Sequence, residues 1–191
     1  MLSKSLNLIK TFHLKDLVLL SLGVVLLILS SHLKIILPFS PVPITLQTLV
    51  VFLMAFFLSF PLAPLSVGIY ILGGGLGLPY FAGPSQMGFS YLIGPTGGYL
   101  LGFLAASYLI NKFKTNSLIK NGLLLVANNG LIYVLGTLQL SIWLNWFGSK
   151  GYSFEQIMLM AVIPFIPGDL VKIFLALTGY HLYLKSYGYK K

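Results

Sequence analysis

The sequence contains no cysteine and no arginine, and only three of its 191 residues are acidic, namely Asp16, Glu155 and Asp169. The absence of cysteine excludes disulfide bonds, thiolate metal sites and cysteine nucleophiles. Charged residues make up 8% of the chain, whereas a soluble domain carries about 25%. Because 57% of the residues are hydrophobic, the chain lacks the polar surface that a water-soluble protein needs. We therefore predict an integral membrane protein.

Missing patterns also argue against three kinds of function. The twelve lysines flank apolar runs and form no basic face with interleaved aromatic residues, which argues against nucleic-acid binding. The glycine-rich segment 73–77 does not match the dinucleotide fingerprint, and no Gly-Lys-Ser/Thr triplet follows a glycine-rich turn, so we predict no nucleotide site. His13, His32 and His181 lie far apart in the chain with no carboxylate cluster beside them. We expect neither a metal site nor a catalytic triad, and we predict that the chain is not an enzyme.

Apolar runs separated by proline, glycine and lysine predict an all-α integral membrane fold, a bundle of six transmembrane helices forming a single domain over residues 1–191. The six predicted spans are 16–37, 44–59, 62–78, 93–111, 121–147 and 156–184. The first follows lysines in the manner of a secretory signal, but its apolar run continues past Ser30 and Ser31 to Leu37, so we expect a retained span. The second and third are shorter than the roughly 20 residues that cross the hydrocarbon core.

The distribution of lysines predicts the orientation of the bundle. Six spans leave two lysines, Lys34 and Lys150, on one side of the membrane and nine on the other. The nine are Lys4, Lys10, Lys15, Lys112, Lys114, Lys120, Lys185, Lys190 and Lys191. Because cytoplasmic segments are enriched in positive charge, we expect both termini in the cytoplasm. The loops 38–43, 79–92 and 148–155 then face outward, and they either fold over a cavity or only connect helices.

Asp169 and Lys172 are two charges within the last predicted span. A charge at the centre of a membrane helix costs about 2.5 to 3.5 kcal/mol on insertion scales, so it is rare without a role. Side chains at i and i+3 share a helix face, so the two charges can partly neutralise one another. Pro164 and Pro167 loosen the helix just before the pair, and broken helices at membrane depth occur where they line a cavity. The pair either fixes helix packing or holds a polar ligand.

Other polar residues in the predicted helices also have two possible roles. Gln47 lies near the outer end of the second helix and is expected to point inward, where it contacts either another helix or a ligand. Asn128 and Asn129, with Tyr133 one turn later, fit interhelical hydrogen bonding, by which polar residues commonly join membrane helices. Glycines at every fourth position from 94 to 102 predict a smooth face against which another helix packs closely.

Three segments, taken together and in this order, resemble the BioY family, the biotin-specific substrate-binding subunits of energy-coupling-factor transporters. They are PVPITLQT at 41–48, GLPYFAG at 77–83 continuing to GPTGGYLLGF at 94–103, and FIPGDLVK at 165–172. The likeness covers residues 17–180. It implies a six-helix bundle in the cell membrane that holds the vitamin near its outer face, under the loop between the first two helices. It also implies partner subunits, namely a membrane scaffold and two ATPases.

The resemblance further implies which residues contact the transported ligand, and it implies no cofactor. In the family the Asp-x-x-Lys of the last helix contacts biotin, which maps onto Asp169 and Lys172. Tyr80 and Phe81 are expected as walls around the thioether ring. The remaining predicted substrate-binding residues are Gln47, Gln86 and Asn128. Two alternatives stay open: a subunit for another vitamin such as thiamine or riboflavin, and a structural membrane subunit in which the charged pair only fixes packing.

Overall fold

The computed structural model describes residues 12–82, 88–147 and 151–186, and these residues are mostly helical. Eight helices and one two-stranded ribbon follow one another along the chain. They are α1 Leu14–His32, β1 Lys34–Ile35, β2 Ile44–Thr45, α2 Gln47–Phe57, α3 Leu62–Gly75, α4 Phe89–Leu92, α5 Gly97–Phe113, α6 Leu118–Phe147, α7 Phe154–Ala161 and α8 Ile166–Ser186. A 3₁₀ turn, Ile163–Phe165, joins α7 to α8.

The helices occur in the predicted order, and the largest differences from the sequence prediction are two helix ends and one interruption. The first predicted helix, 16–37, ends at His32, because Lys34 and Ile35 pair with Thr45 and Ile44 in the antiparallel ribbon. The fourth, 93–111, begins only at Gly97; a proline disfavours helical geometry in the residue before it, here Gly94. The last, 156–184, is interrupted between Ala161 and Ile166.

The outer surface of the bundle is apolar, as in a protein surrounded by lipid. Large hydrophobic side chains such as Leu101, Leu138 and Phe174 are exposed, whereas Gln47 and Asn121 are buried. Among the described residues, three helical segments are long and apolar enough to cross a bilayer: Leu14–His32, Leu118–Trp146 and Phe154–Ser186. The protein therefore crosses the membrane more than once. The helices α2 and α3, with 11 and 14 residues, are shorter than a bilayer span.

The glycines of α5 allow it to pack closely along α6. A methyl group added at Gly98 would overlap the backbone carbonyl of Leu135, and one added at Gly102 would lie 2.8 Å from the Cα of Ile132. Two helix backbones approach this closely only where the side chain between them is absent. The close packing that the glycine spacing predicts is therefore confirmed at these two positions.

The segment that follows α3, including Tyr80 and Phe81, packs back against the glycine-rich end of that helix. Gly77 adopts φ +100, and the amides of Gly77 and Leu78 bond the carbonyls of Gly74 and Gly73, the pattern of a Schellman cap. The chain then folds back, so that the rings of Tyr80 and Phe81 lie against Gly73 and Gly74, where any Cβ would overlap them.

Candidate functional site

A central cavity lies between α2, α5, α6 and α8, beneath the β1–β2 connection and beside α4. Its volume is about 50 Å³, which is room for a few water molecules, since one water needs about 10–15 Å³ of such space. The walls are mainly apolar and aromatic, with a small number of hydroxyl, amide and charged groups converging on the interior. This is the composition of a small-molecule site. A larger ligand enters only if the surrounding segments move apart.

Asp169 and Lys172 form an ion pair that faces this cavity. The Lys172 Nζ donates to Asp169 Oδ1 at 2.8 Å, and the two residues are 6% and 5% exposed. The residues between them, Leu170 and Val171, are 58% and 57% exposed. One turn of α8 thus presents charge to the interior and apolar surface to lipid. Asp169 also lies in the first turn of α8, where the helix dipole stabilises a negative charge.

Tyr133 of α6 completes the coordination of the carboxylate. Its hydroxyl donates to Asp169 Oδ2 at 2.6 Å, so each carboxylate oxygen has one strong partner. A hydrogen bond to an ionised acceptor is shorter and stronger than one between neutral groups. The orientation of Asp169 is therefore fixed from two helices, α8 and α6.

The helix break before Asp169 is held by side chains from two other elements. Pro164 has no amide hydrogen, so the carbonyl of Met160 lacks its helical donor, and the Ser40 hydroxyl supplies one at 2.7 Å. The next carbonyl, Ala161, accepts from the Tyr99 hydroxyl at 2.8 Å. The predicted loosening of the helix by its prolines is confirmed, and the freed carbonyls connect α7 to the α1–α2 loop and to α5.

Gln47 lines the cavity and belongs to a buried hydrogen-bond chain. Its Nε2 donates to the Tyr70 hydroxyl at 2.8 Å, which in turn donates to the carbonyl of Tyr80 at 3.2 Å. The Gln47 Oε1 accepts from the Thr45 hydroxyl at 3.3 Å. These hydrogen bonds orient the Gln47 side-chain amide and leave one of its donor hydrogens and one of its acceptor lone pairs for a ligand.

Tyr80 and Phe81 lie one layer behind the cavity, and neither ring belongs to the lining described by the structure. The Tyr80 ring stacks on Tyr70, and the Phe81 ring stacks on Tyr91 with centroids 4.5 Å apart. Tyr91 and Ala82 form the wall in their place. Burial raises the pKa of Tyr91, which lies in the short helix α4, and so favours its neutral phenol.

Of the two remaining predicted residues, only Asn128 lies in the described part of the chain, and it does not line the cavity. The Asn128 side chain donates to the carbonyl of Leu124 at 2.8 Å, within its own helix, and it is absent from the described cavity lining. Its buried Oδ1 has no hydrogen-bond partner among the described residues. Gln86 lies outside the residues that the structure describes.

Several lining residues were not predicted from the sequence as ligand contacts. They are mainly hydroxyl-bearing and aromatic: Thr45, Thr48, Tyr91, Thr96, Tyr99, Tyr133 and Phe165. One signal was available for Tyr99 and Tyr133, because a tyrosine buried among apolar helices needs a partner for its hydroxyl. Which partner each finds depends on contacts between distant helices. In the described part of the chain no three potential metal ligands cluster.

Comparison with known proteins identifies relatives across most of the chain. The model of the BioY family matches residues 3–188. A probable biotin transporter BioY from Methanothermobacter thermautotrophicus is 40% identical over 116 residues, which is 57% of this chain and 73% of that protein. The biotin transporter BioY of Thermotoga maritima is 35% identical over 73% of this chain and 79% of its own length. BioY2 of Lactococcus lactis is 34% identical over 85% and 86%.

One solved structure has the same fold. It is described as the S-component for biotin from an ECF-type ABC transporter, and it superimposes with a TM-score of 0.75 over 90% of this chain and 91% of that one, at 24% identity. At this identity the likeness shows the fold alone. The family model covers nearly the whole chain, and it includes both charged residues of the cavity. The chain therefore belongs to the BioY family.

Proposed function

We propose that this protein is the biotin-binding subunit of a vitamin uptake transporter and that it captures biotin in the central cavity. The observation that carries the proposal is the buried Asp169–Lys172 pair at the wall of an otherwise apolar and aromatic cavity. Biotin has a cyclic urea with two N–H donors and one carbonyl acceptor, next to an apolar thioether ring. A carboxylate and an ammonium side by side match the donors and the acceptor of the urea. The relatives named as biotin transporters support the same ligand.

We further propose that Asp169, Lys172 and Gln47 contact the ligand directly and that Tyr133 positions Asp169. Phe81 acts indirectly, through the Tyr91 ring on which it stacks. Tyr80 acts through the Tyr70 ring, whose hydroxyl accepts from Gln47. The cavity is small as it stands, so binding requires the segments that line it to move apart.

The chain carries out no chemical reaction in this scheme, and it uses no cofactor. Energy comes from ATP hydrolysed by partner subunits, namely two ATPases coupled through a membrane scaffold. The protein lies in the plasma membrane with six spans and both termini in the cytoplasm. The positions of Lys15, Lys112, Lys114 and Lys185 at the ends of α1, α5 and α8 support this orientation, because cytoplasmic segments are rich in lysine.

Titration of the detergent-purified protein with biotin tests the proposal. We expect saturable binding with one site per chain and an increase in thermal stability, because a ligand that binds only the folded state stabilises it. Thiamine and riboflavin serve as comparison ligands. Tighter binding of either would assign the cavity to another vitamin, and a stable protein that binds none of the three would favour a purely structural role for the charged pair.

Replacing Tyr133 by Phe should weaken biotin binding about tenfold, because a hydrogen bond to a charged group contributes about 1.5–3 kcal/mol and 1.4 kcal/mol is tenfold in affinity. The ring remains, so the cavity wall keeps its shape. Calorimetry on the variant measures the effect. The control is Tyr108→Phe, which removes a hydroxyl bonded to exposed Lys112 and should leave biotin affinity unchanged. Equal affinities of the two variants would show that the Tyr133 hydroxyl does not position Asp169.

A further inference from the structure

Among the described residues, the one ammonium group that lines the cavity is already paired with a carboxylate, so the negatively charged tail of biotin has no unpaired cation there. Lys172 is already paired with Asp169 at 2.8 Å. An anion placed against Lys172 would also lie close to Asp169, and at comparable distances the repulsion offsets most of the attraction. The pair is thus suited to an uncharged polar group. A ligand with one negative charge needs a second cation elsewhere around the cavity.

Lys34 occupies a position that meets this need. It pairs with Thr45 across the β1–β2 ribbon, and directly opposed residues of an antiparallel pair project from the same face. Thr45 lines the cavity. The Lys34 Nζ also donates to the carbonyl of Ala82, a second lining residue. Lys34 is not itself among the described lining residues. Its ammonium therefore lies at the rim, beside two segments that border the cavity.

Lys34 is also free of acidic partners. In the described ranges of the chain the ion pair Asp169–Lys172 is the only salt bridge. Its contact with Ala82 uses one of three ammonium hydrogens, which leaves two for a ligand. It is partly buried, so a carboxylate there is less screened than on an open surface.

The other described lysines are remote from the rim. Lys120 lies at the start of α6, about 20 Å along that helix from the lining residue Tyr133 at 1.5 Å per residue. Lys112 and Lys114 lie at the end of α5 opposite Thr96, which borders the cavity; α5 has 17 residues, or about 25 Å at 1.5 Å per residue. Lys15 lies at the start of α1, at the other end of that helix from Lys34. Lys185 lies in the last turn of α8, whereas Asp169 is in its first.

The geometry points to Lys34 as the residue that binds the carboxylate tail of the ligand at the rim, while the uncharged cyclic urea faces Asp169 and Lys172. This inference rests on the proposed function. It defines the substrate class as a monocarboxylate with a neutral head group that donates hydrogen bonds. It also gives the α1–α2 loop a part in recognition, because the cation that contacts the ligand lies on β1.

The test compares biotin with its primary amide, which has the same head group and no charge. We expect the wild-type protein to bind biotin about tenfold more tightly than the amide. A charge-assisted hydrogen bond is about twice as strong as a neutral one, but the partial exposure of Lys34 limits what the contact adds to the binding free energy. Lys34→Gln should bind both ligands equally, with the amide affinity of the wild type. The control Lys15→Gln removes an exposed lysine at the far end of α1 and should keep the preference.

Two results would overturn the assignment: a wild-type protein with equal affinity for biotin and the amide, or a Lys34→Gln variant that keeps the wild-type preference. Amide binding reports whether the variant is folded. A salt series on the wild type needs no variant at all. Biotin affinity should fall between 50 mM and 500 mM salt, in about the range where a partly exposed pair is screened, while amide affinity stays constant. Failure of the wild type to bind either ligand would instead refute the proposed function.

Discussion

Replacing Asp169 by Asn and Lys172 by Met together should give a folded protein that has lost biotin binding. Exchanging a buried ion pair for uncharged residues of similar volume is often neutral or stabilising, by about 1–4 kcal/mol. The ligand, however, loses two contacts to charged groups, each worth about 1.5–3 kcal/mol. We therefore expect a loss of affinity of at least about a hundredfold. Thermal unfolding in detergent and biotin titration of the same preparation measure the two effects.

The single variant Asp169→Asn separates a binding role from a packing role. It leaves Lys172 buried without its anion, and removal of one partner of a buried pair costs about 3–5 kcal/mol. The single variant should thus be less stable than the double variant, and both should fail to bind biotin. Asp16→Asn, in the first turn of α1, controls for loss of an acidic residue outside the cavity. A double variant that is stable and still binds biotin would show that the pair serves packing alone.

Replacing Gly98 by Ala should destabilise the protein severely. The added methyl group would overlap the Leu135 carbonyl, and a backbone atom moves only if α5 and α6 separate. Overpacking costs about 1–3 kcal/mol where side chains can adjust, so we expect a loss at or above the top of that range. Tyr99 and Tyr133 project into the cavity from these same two helices, so biotin binding should fall as well. Thermal unfolding and biotin titration measure both effects.

Gly68→Ala is the matched control for this substitution. Gly68 lies within α3, and an added Cβ there meets no atom within 4 Å. Alanine is favoured over glycine inside a helix by about 1 kcal/mol, so this variant should be at least as stable as the wild type and should bind biotin normally. Equal stabilities of the two variants would show that α5 and α6 have room to move apart at Gly98.

The composition and the short-range pattern of the sequence were sufficient to predict the class of protein. The scarcity of charge and the apolar runs predicted a membrane protein, and helices occur near all six predicted segments. The prolines before Asp169 predicted the break between α7 and α8 for a local reason, since proline removes a backbone donor wherever it stands. The four-residue glycine spacing predicted close packing by the same kind of local argument.

Helix ends and loop contacts were less predictable. The prediction that the first helix extends to residue 37 was wrong, because pairing of β1 with β2 competes with helix over those residues. Tyr80 and Phe81 were expected at the ligand, but their rings lie against Gly73 and Gly74. The sequence predicts that such aromatic residues are buried. Whether a buried ring faces the cavity or packs behind its wall depends on the path of the whole loop.

The sequence by itself determined that this protein is an apolar, helical membrane protein with a buried Asp-x-x-Lys pair. Scarcity of charge and the three-residue spacing of the pair on a helix are both properties of residues close together in the chain. Only the tertiary structure decided what surrounds the pair. Tyr133 reaches Asp169 from another helix, Ser40 and Tyr99 bond the carbonyls at the helix break, and Lys34 lies at the rim through Ala82. These partners are separated by tens of residues along the chain. Hydrogen bonds between them exist only after the helices have packed, and no local pattern specifies them.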